Sequence, residues 1–197
     1  MGTDDLFKKR RAARQQRNHE YKNPKANSYL IVTEGERTEP LYFQGIKKLI
    51  QAKIGGSVDI VMYQNIWIVF DKDDFDDFDH AIETGTNRGY NIAWSNQSFE
   101  YWLYLHFFFS DSALHRDDWE SKLNDIFKQY GLGDGTYKKN YEEIYALVNR
   151  FDGVNTAIKN AKRRMADFEK SGKKASEYDP GTTVHMLVEN LKRYLDE

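Results

Sequence analysis

"IWIVFDKDDFDDFD", residues 66–79, decides how this chain folds. The apolar run 66–70 is of strand type, and it empties into six aspartates within nine residues. A strand that is apolar at consecutive positions is buried on both faces, as in a parallel sheet covered by helices. Charge at the end of such a strand has two physical explanations. Acids stabilise the N-terminus of a following helix through its macrodipole. They also hold hard divalent cations such as Mg²⁺, which take one or two carboxylates together with phosphate oxygens. Spacing separates the two roles. Asp71 and Asp73 are two apart, so a continuing strand points both to one side. Asp76, Asp77 and Asp79 fall in the first turn of a helix carrying Phe75, Phe78 and Ile82 on one face. Asp74 suits either purpose.

Toward the N-terminus, residues 29–32 form another continuous apolar run, broken at Gly35. Thr38, with Glu39 and Pro40 behind it, predicts a helix start: a capping hydroxyl, then an acid and a proline in the first turn. Tyr42, Ile46, Leu49 and Ile50 follow at helical spacing. "SVDIVMY" (57–63) reads as a second strand, "NIWIVFD" (65–71) as a third and "YNIAWSN" (90–96) as a fourth. "SFEYWLYLHFFF" (98–109) reads as a buried helix, with His106 a core histidine. This alternation predicts an α/β fold with a mostly parallel four-stranded sheet flanked by helices. After residue 110 the strands are expected to stop. Helices are predicted over 117–130, 141–148 and 154–168, and a last one from Thr183. The expected division is a basic arm (1–27), an α/β core (28–110) and a helical C-terminal extension packed on that core (111–197). One spacing resists. Parallel neighbours need a crossover of about a dozen residues or more, yet only Gln64 separates the second and third strands. Either these two form an antiparallel hairpin, or a segment is missing near residues 63–65; the second is the expectation.

Composition narrows the classes. With no cysteine in 197 residues, disulfides, zinc–thiolate sites and cysteine nucleophiles are excluded. No stretch approaches the roughly 20 apolar residues of a membrane span, and the N-terminus lacks the apolar segment of a secretory signal. A cytoplasmic protein without membrane contact is expected. The formal charge of −2 hides an uneven distribution. Lys8, Lys9, Arg10, Arg11, Arg14, Arg17, Lys22 and Lys25 face only Asp4, Asp5 and Glu20 in the first 25 residues. This is either a solubilising tail or a nucleic-acid contact, with Lys8, Lys9, Arg10, Arg11 and Arg14 as the candidate phosphate ligands.

In an α/β sheet, ligands bind beyond the carboxyl ends of the strands. Glu34 follows the first strand and Asp71 ends the third, so parallel strands bring Glu34, Asp71 and Asp73 to one edge. Helix capping does not explain Glu34. A glutamate after the first strand and Asp-x-Asp after the third resemble the Toprim fold. More narrowly, "LIVTEGERTEPLYF", "IWIVFDKDDF", "IAWSNQSFEYWLYLHF", "TYKKNY" and "TTVHMLVENL" occur in the order seen in the RloB-like family. Those proteins are encoded near restriction and phage-defence genes and are related to Toprim nuclease subunits of abortive-infection systems. The resemblance runs from about Tyr29 to the C-terminus. It departs at Gln97 and Ser98, where the family usually carries proline and cysteine.

The resemblance implies a Toprim-like core and a nuclease acting on RNA, tRNA being one candidate, or on DNA, with Mg²⁺ or Mn²⁺ as cofactor. Carried over by position, Glu34 is a metal ligand or general acid/base, and Asp71 and Asp73 are the metal pair. Glu39 is either a ligand of a second metal or a first-turn helix acid. From "TYKKNY", Lys139 is the expected cation against the phosphate and Lys138 a nucleic-acid contact, unless both sit in a solvated loop. Asp74, Asn96 and Glu100 would stand behind the ligands. A separate ABC-type ATPase is the implied partner, because the chain has no Walker A pattern, and a homo-oligomer is compatible. Two other readings stand beside this one. A different Asp-x-Asp phosphate-transfer enzyme would not need Glu34, and a haloacid-dehalogenase-type phosphatase would need aspartate there. A non-catalytic scaffold or sensor would keep the acidic edge without its chemistry.

Overall fold

The computed structural model describes residues 29–54 and 65–196; the basic arm and the predicted strand 57–63 lie outside the described residues. In chain order the elements are β1 (Tyr29–Thr33), α1 (Thr38–Ile54), β2 (Asn65–Asp71), α2 (Phe78–Asn87), β3 (Asn91–Asn96), α3 (Phe99–Tyr104), α4 (Arg116–Tyr130), α5 (Ile144–Val148), α6 (Gly153–Ser171), β4 (Gly181–Thr182) and α7 (Val184–Asp196). Short 3₁₀ turns occupy Arg150–Asp152 and Ala175–Glu177. Among the described residues no helix is long and apolar enough to cross a membrane.

The strands form one sheet in the order β1-β2-β3-β4. The first three are parallel, with Thr33 opposite Val69 and Asp71 opposite Ser95, and β4 is antiparallel to β3. The chain is therefore α/β with a mostly parallel four-stranded sheet. Helix α1 lies between β1 and β2 in the chain and is itself part of their crossover, as parallel pairing requires. Strand β2 has parallel neighbours on both edges, β1 and β3.

Strand alternation divides the core in two. Trp67 and Val69 of β2 join the larger cluster with Tyr42, Ile46, Trp102, Trp119, Leu187 and others. Phe70, Ile92 and Trp94 belong to a smaller cluster on Phe78, Met165 and Tyr178. Each fully buried apolar side chain of this size contributes about 1.5–3 kcal/mol. The larger cluster spans residues on both sides of position 110, from Tyr42 to Leu191.

Two sequence expectations need correction. A strand does follow residue 110: Gly181 pairs with Asn96 and Thr182 with Ser95. Two residues carry no periodicity, so β4 was invisible to pattern. The helix predicted over 98–109 stops at Tyr104. Its apolar content continues, but its hydrogen bonding does not. His106 N bonds Leu103 O at 3.2 Å, a 3₁₀-type contact. The Trp102 carbonyl that an α-helix would have used instead accepts from His106 Nδ1 at 3.0 Å. A buried imidazole thus ends the helix. Because the carbonyl only accepts, Nδ1 carries the proton, and Nε2 accepts from the Tyr42 hydroxyl at 3.1 Å. Burial lowers the His106 pKa to about 4, so the ring is neutral.

Candidate functional site

Parallel pairing places the ends of β1, β2 and β3 on one edge. Glu34 is held there by its own amide, which extends the ladder to Val69 O at 3.0 Å. Its side chain is exposed. Gly35 follows because Glu39 lies against it: a Cβ on Gly35 would come within 2.2 Å of Glu39 Oε2. Glu39, in the first turn of α1, is buried at 9% exposure. Burial first, and the charges of Glu100 and Glu34 after it, raise its pKa.

Asp71 shares the face of Trp67 and Val69, which drives its carboxylate toward the larger core. Its Oδ2 accepts from the Phe99 amide at 2.8 Å, at the start of α3. Its Oδ1 is buried and has no hydrogen-bond partner. Burial raises the Asp71 pKa far above the ordinary carboxylate value, and the charges of Glu39, Glu100 and Asp73 push the same way.

Beyond Asp71 the strand does not continue as the alternation argument assumed. Asp73 adopts a left-handed backbone, with φ of 44°, and its amide bonds Gln97 O at 3.2 Å. The carboxylate turns to Arg116, whose Nη1 donates to Asp73 Oδ1. A second guanidinium nitrogen reaches exposed Asp74 Oδ2 at 3.4 Å. Arg116 opens α4, and sequence reading missed it. Its signal was present: a cation at a helix N-terminus opposes the macrodipole, so some other partner has to hold it there.

Glu100 is 3% exposed. It accepts from the Tyr137 hydroxyl at 2.9 Å, and Lys139 Nζ stands 3.6 Å from the same oxygen. Lys139 also pairs with Glu120 at 2.5 Å, and its carbonyl accepts from Thr38 Oγ1 at 3.1 Å. Partial burial works against the Lys139 ammonium, but Glu120 and Glu100 outweigh it and raise its pKa. Lys138 turns away, pairing with Asp134 and lying 5.6 Å above the Tyr141 ring. Of the two adjacent lysines, only Lys139 faces the acids. Tyr137 and Glu120, also missed from the sequence, fix its position.

Asn96 is 1% exposed and donates to Ala175 O and Ser176 O, each at 3.0 Å. It ties the sheet edge to the segment before β4. Asp79, expected as surface charge, accepts from the Ser176 amide at 3.0 Å and so clamps the same segment to α2. The exposed Asp76 and Asp77 precede that helix instead of lying in its first turn as the sequence suggested, and only Asp79 lies there. The arm residues Lys8, Lys9, Arg10, Arg11 and Arg14 lie outside the described residues.

Glu39 thus stands within electrostatic reach of Glu34, Glu100 and Lys139, and Asp71 within reach of Glu39, Glu100 and Asp73. Their oxygens do not converge: among the described residues no three His, Asp or Glu side chains are gathered as a metal site. The donor chemistry nevertheless fits a hard divalent cation. All the acids offer carboxylate oxygens, and the partnerless Asp71 Oδ1 lies buried among like charges. Were such a cation to bind at this edge, Glu34, Glu39, Asp71 and Asp73 are the carboxylates that would offer it oxygens.

A family model described as RloB-like protein matches residues 29–191. No curated protein and no solved structure matches the chain.

Proposed function

This chain belongs to the RloB-like family, and on that premise we propose that it is a Toprim-type nuclease, dependent on Mg²⁺ or Mn²⁺, that hydrolyses RNA or DNA phosphodiesters in anti-phage defence. Asp71 carries the reading. It is a buried carboxylate at the end of a central strand, with one oxygen bonded and the other partnerless. Removing an ionised carboxylate from water costs several kcal/mol unless opposite charge meets it. A purely structural position would be served at lower cost by asparagine.

In this reading Asp71 and Asp73 would hold the divalent cation, Glu34 would be either a third ligand or the general base, and Glu39 would join a second ion. When bound, the ion supplies charge stabilisation to the phosphate under attack. As the base, Glu34, exposed at the rim, takes the proton of the attacking water. Lys139, fixed between Glu100 and Glu120 and half exposed, offers positive charge to a phosphate oxygen, as a preorganised cation should. The Thr38 and Tyr137 hydrogen bonds keep that loop in place. A separate ABC-type ATPase that restrains the nuclease belongs to the same proposal, as does tRNA as one substrate.

The test is incubation of the purified chain, with Glu34→Gln and Asp71→Asn variants, on total RNA, tRNA and plasmid DNA in Mg²⁺ and Mn²⁺. Metal-dependent cleavage of one substrate class, lost in both variants, is the expected result. Retained cleavage in Glu34→Gln would indicate another Asp-x-Asp enzyme. One observation favours a non-catalytic scaffold or sensor: the carboxylates do not converge on a point. A folded chain without cleavage, and with no metal-dependent rise in melting temperature at millimolar ion, would establish that second reading.

A further inference from the structure

We infer that Phe151, Tyr130 and Phe107 form a stacking platform for the bases of a single-stranded nucleic acid, at the far end of the two helices that start from the acidic edge. The platform rests on the nuclease reading above and deepens it by naming the substrate class.

Phe151 is the first observation. It is 75% exposed, yet its backbone is left-handed at φ of 59°, and Asp152 follows at 62°. A bulky side chain rarely adopts that conformation, and a phenylalanine left in water forgoes the burial that would offset it. The turn is nevertheless firmly built. Asn149 Oδ1 accepts from the Val154 amide at 3.1 Å, and Asp152 Oδ1 accepts from Asn155 Nδ2 at 2.5 Å. Gly153 passes so close to Val148 that a Cβ would meet its carbonyl oxygen at 2.0 Å. The turn holds an apolar ring outward instead of folding it in.

That ring does not stand alone. Its centroid lies 6.1 Å from that of Tyr130. Tyr130 in turn stacks on half-buried Phe107 at 5.9 Å, with 28° between the planes. Three rings thus make a row whose outer member is open. Cations flank it. Exposed Arg150 precedes Phe151, and exposed Arg163 lies 3.8 Å above the ring of Phe109, two residues beyond Phe107. Among the described residues neither arginine forms a salt bridge, so both charges remain for phosphates. Rings for bases beside cations for the backbone are the chemistry of single-strand binding, since every base has a face to stack. A duplex keeps those faces covered by neighbouring bases.

Position links the row to the acids. Helix α3 begins where the Phe99 amide bonds Asp71, and α4 begins at Arg116, bonded to Asp73. The two segments meet again at Phe107 and Tyr130. At 1.5 Å per residue, α4 carries Tyr130 about 20 Å from Arg116. A strand held on the row therefore extends toward the acidic edge without its stacked bases touching it.

The test reads binding in EDTA, where no metal-dependent cleavage intrudes. A fluorescein-labelled oligothymidylate and a duplex of the same length are titrated into wild type and variants, with circular dichroism melts to confirm folding. Phe151→Ala and Phe151→Leu should each weaken the single strand at least about fivefold. Phe151→Trp should bind it as wild type does, and the duplex should be unaffected by all three. Arg150→Gln should lower the salt slope for the single strand by about 0.7. Wild-type binding that Phe151→Ala leaves unchanged, or that Phe151→Leu retains, overturns the inference, as does a loss shared equally by the duplex. So does a wild type that ignores the single strand, or one whose dimer Phe151→Ala dissociates at unchanged oligonucleotide affinity, which would assign the row to a protein contact. The nuclease reading is judged separately, by metal-dependent cleavage in wild type.

Discussion

His106 in the larger core and Asp71 at the sheet edge both have buried ionisable atoms, and the two regions treat them in opposite ways. In the larger core, His106 is neutral and both ring nitrogens are engaged, one with Trp102 O and the other with the Tyr42 hydroxyl. At the sheet edge, Asp71 has one oxygen engaged, the other partnerless, and three further acids within reach. Burial alone therefore does not mark a working residue. Incomplete partnering among like charges is the feature on which the role proposed for Asp71 rests.

The comparison breaks most visibly at the edge. Asp71→Asn and Glu34→Gln should each reduce metal-dependent cleavage at least about a hundredfold in a gel-based assay. A His106→Gln protein that still folds should cleave as wild type does. If His106→Gln lost cleavage at unchanged substrate binding, the distinction between the two regions would fail.

Acidity sharpens the contrast next. His106 has a folded pKa of about 4 against its ordinary 6.5. Its contribution is complete above 6.5 and is lost as pH falls toward 4, by up to about 3 kcal/mol. Asp71 has the opposite sign. Its folded pKa lies far above 3.8, so its contribution is complete below 3.8 and is lost as pH rises toward the folded value. Urea midpoints between about pH 4.5 and 8, without metal, should show the acid limb flatten in His106→Gln and the alkaline limb flatten in Asp71→Asn. Saturating Mg²⁺ should remove the alkaline loss in wild type alone.

At neutral pH, one substitution in each region should move stability in opposite directions. Tyr42→Phe leaves His106 Nε2 buried without its donor and should cost about 1–3 kcal/mol. Asp71→Asn relieves a buried charge among acids, keeps an oxygen for the Phe99 amide, and should raise the metal-free melting temperature by about 2–4 °C for each kcal/mol gained. Differential scanning calorimetry separates the two signs. The smallest effect belongs to the helix-start acids: exposed Asp76→Asn should stay within about 0.5 kcal/mol.

How much of this was readable beforehand follows the range of each interaction. The strand 65–71, the helix start at Thr38 and the edge position of Glu34 and Asp71 are written in neighbouring residues, and periodicity delivers them. What was missed depends on contacts far apart in the chain. β4 is two residues given meaning by β3. The end of α3 is set by a side chain hydrogen bond of His106, which an apolar run does not announce. The fork between Lys138 and Lys139 is resolved by Asp134 on one side and by Glu100 and Glu120 on the other. Asp73 misled the alternation argument because one left-handed residue redirects everything after it, and Arg116, 43 positions away, gives that turn its partner.

The sheet edge also has an order in time. Glu34, Glu39, Asp71, Asp73 and Glu100 precede residue 101, whereas Arg116, Glu120 and Lys139 come later and Thr182 later still. On a ribosome adding about 5–20 residues per second, β4 is made on the order of ten seconds after Asp71. During synthesis these carboxylates exist first without Arg116 and Lys139, then with them, and only at the end with the strand that pairs beside Ser95 and Asn96. The edge therefore receives the two cations that pair with its acids only after all three parallel strands have been made, and its antiparallel strand last of all.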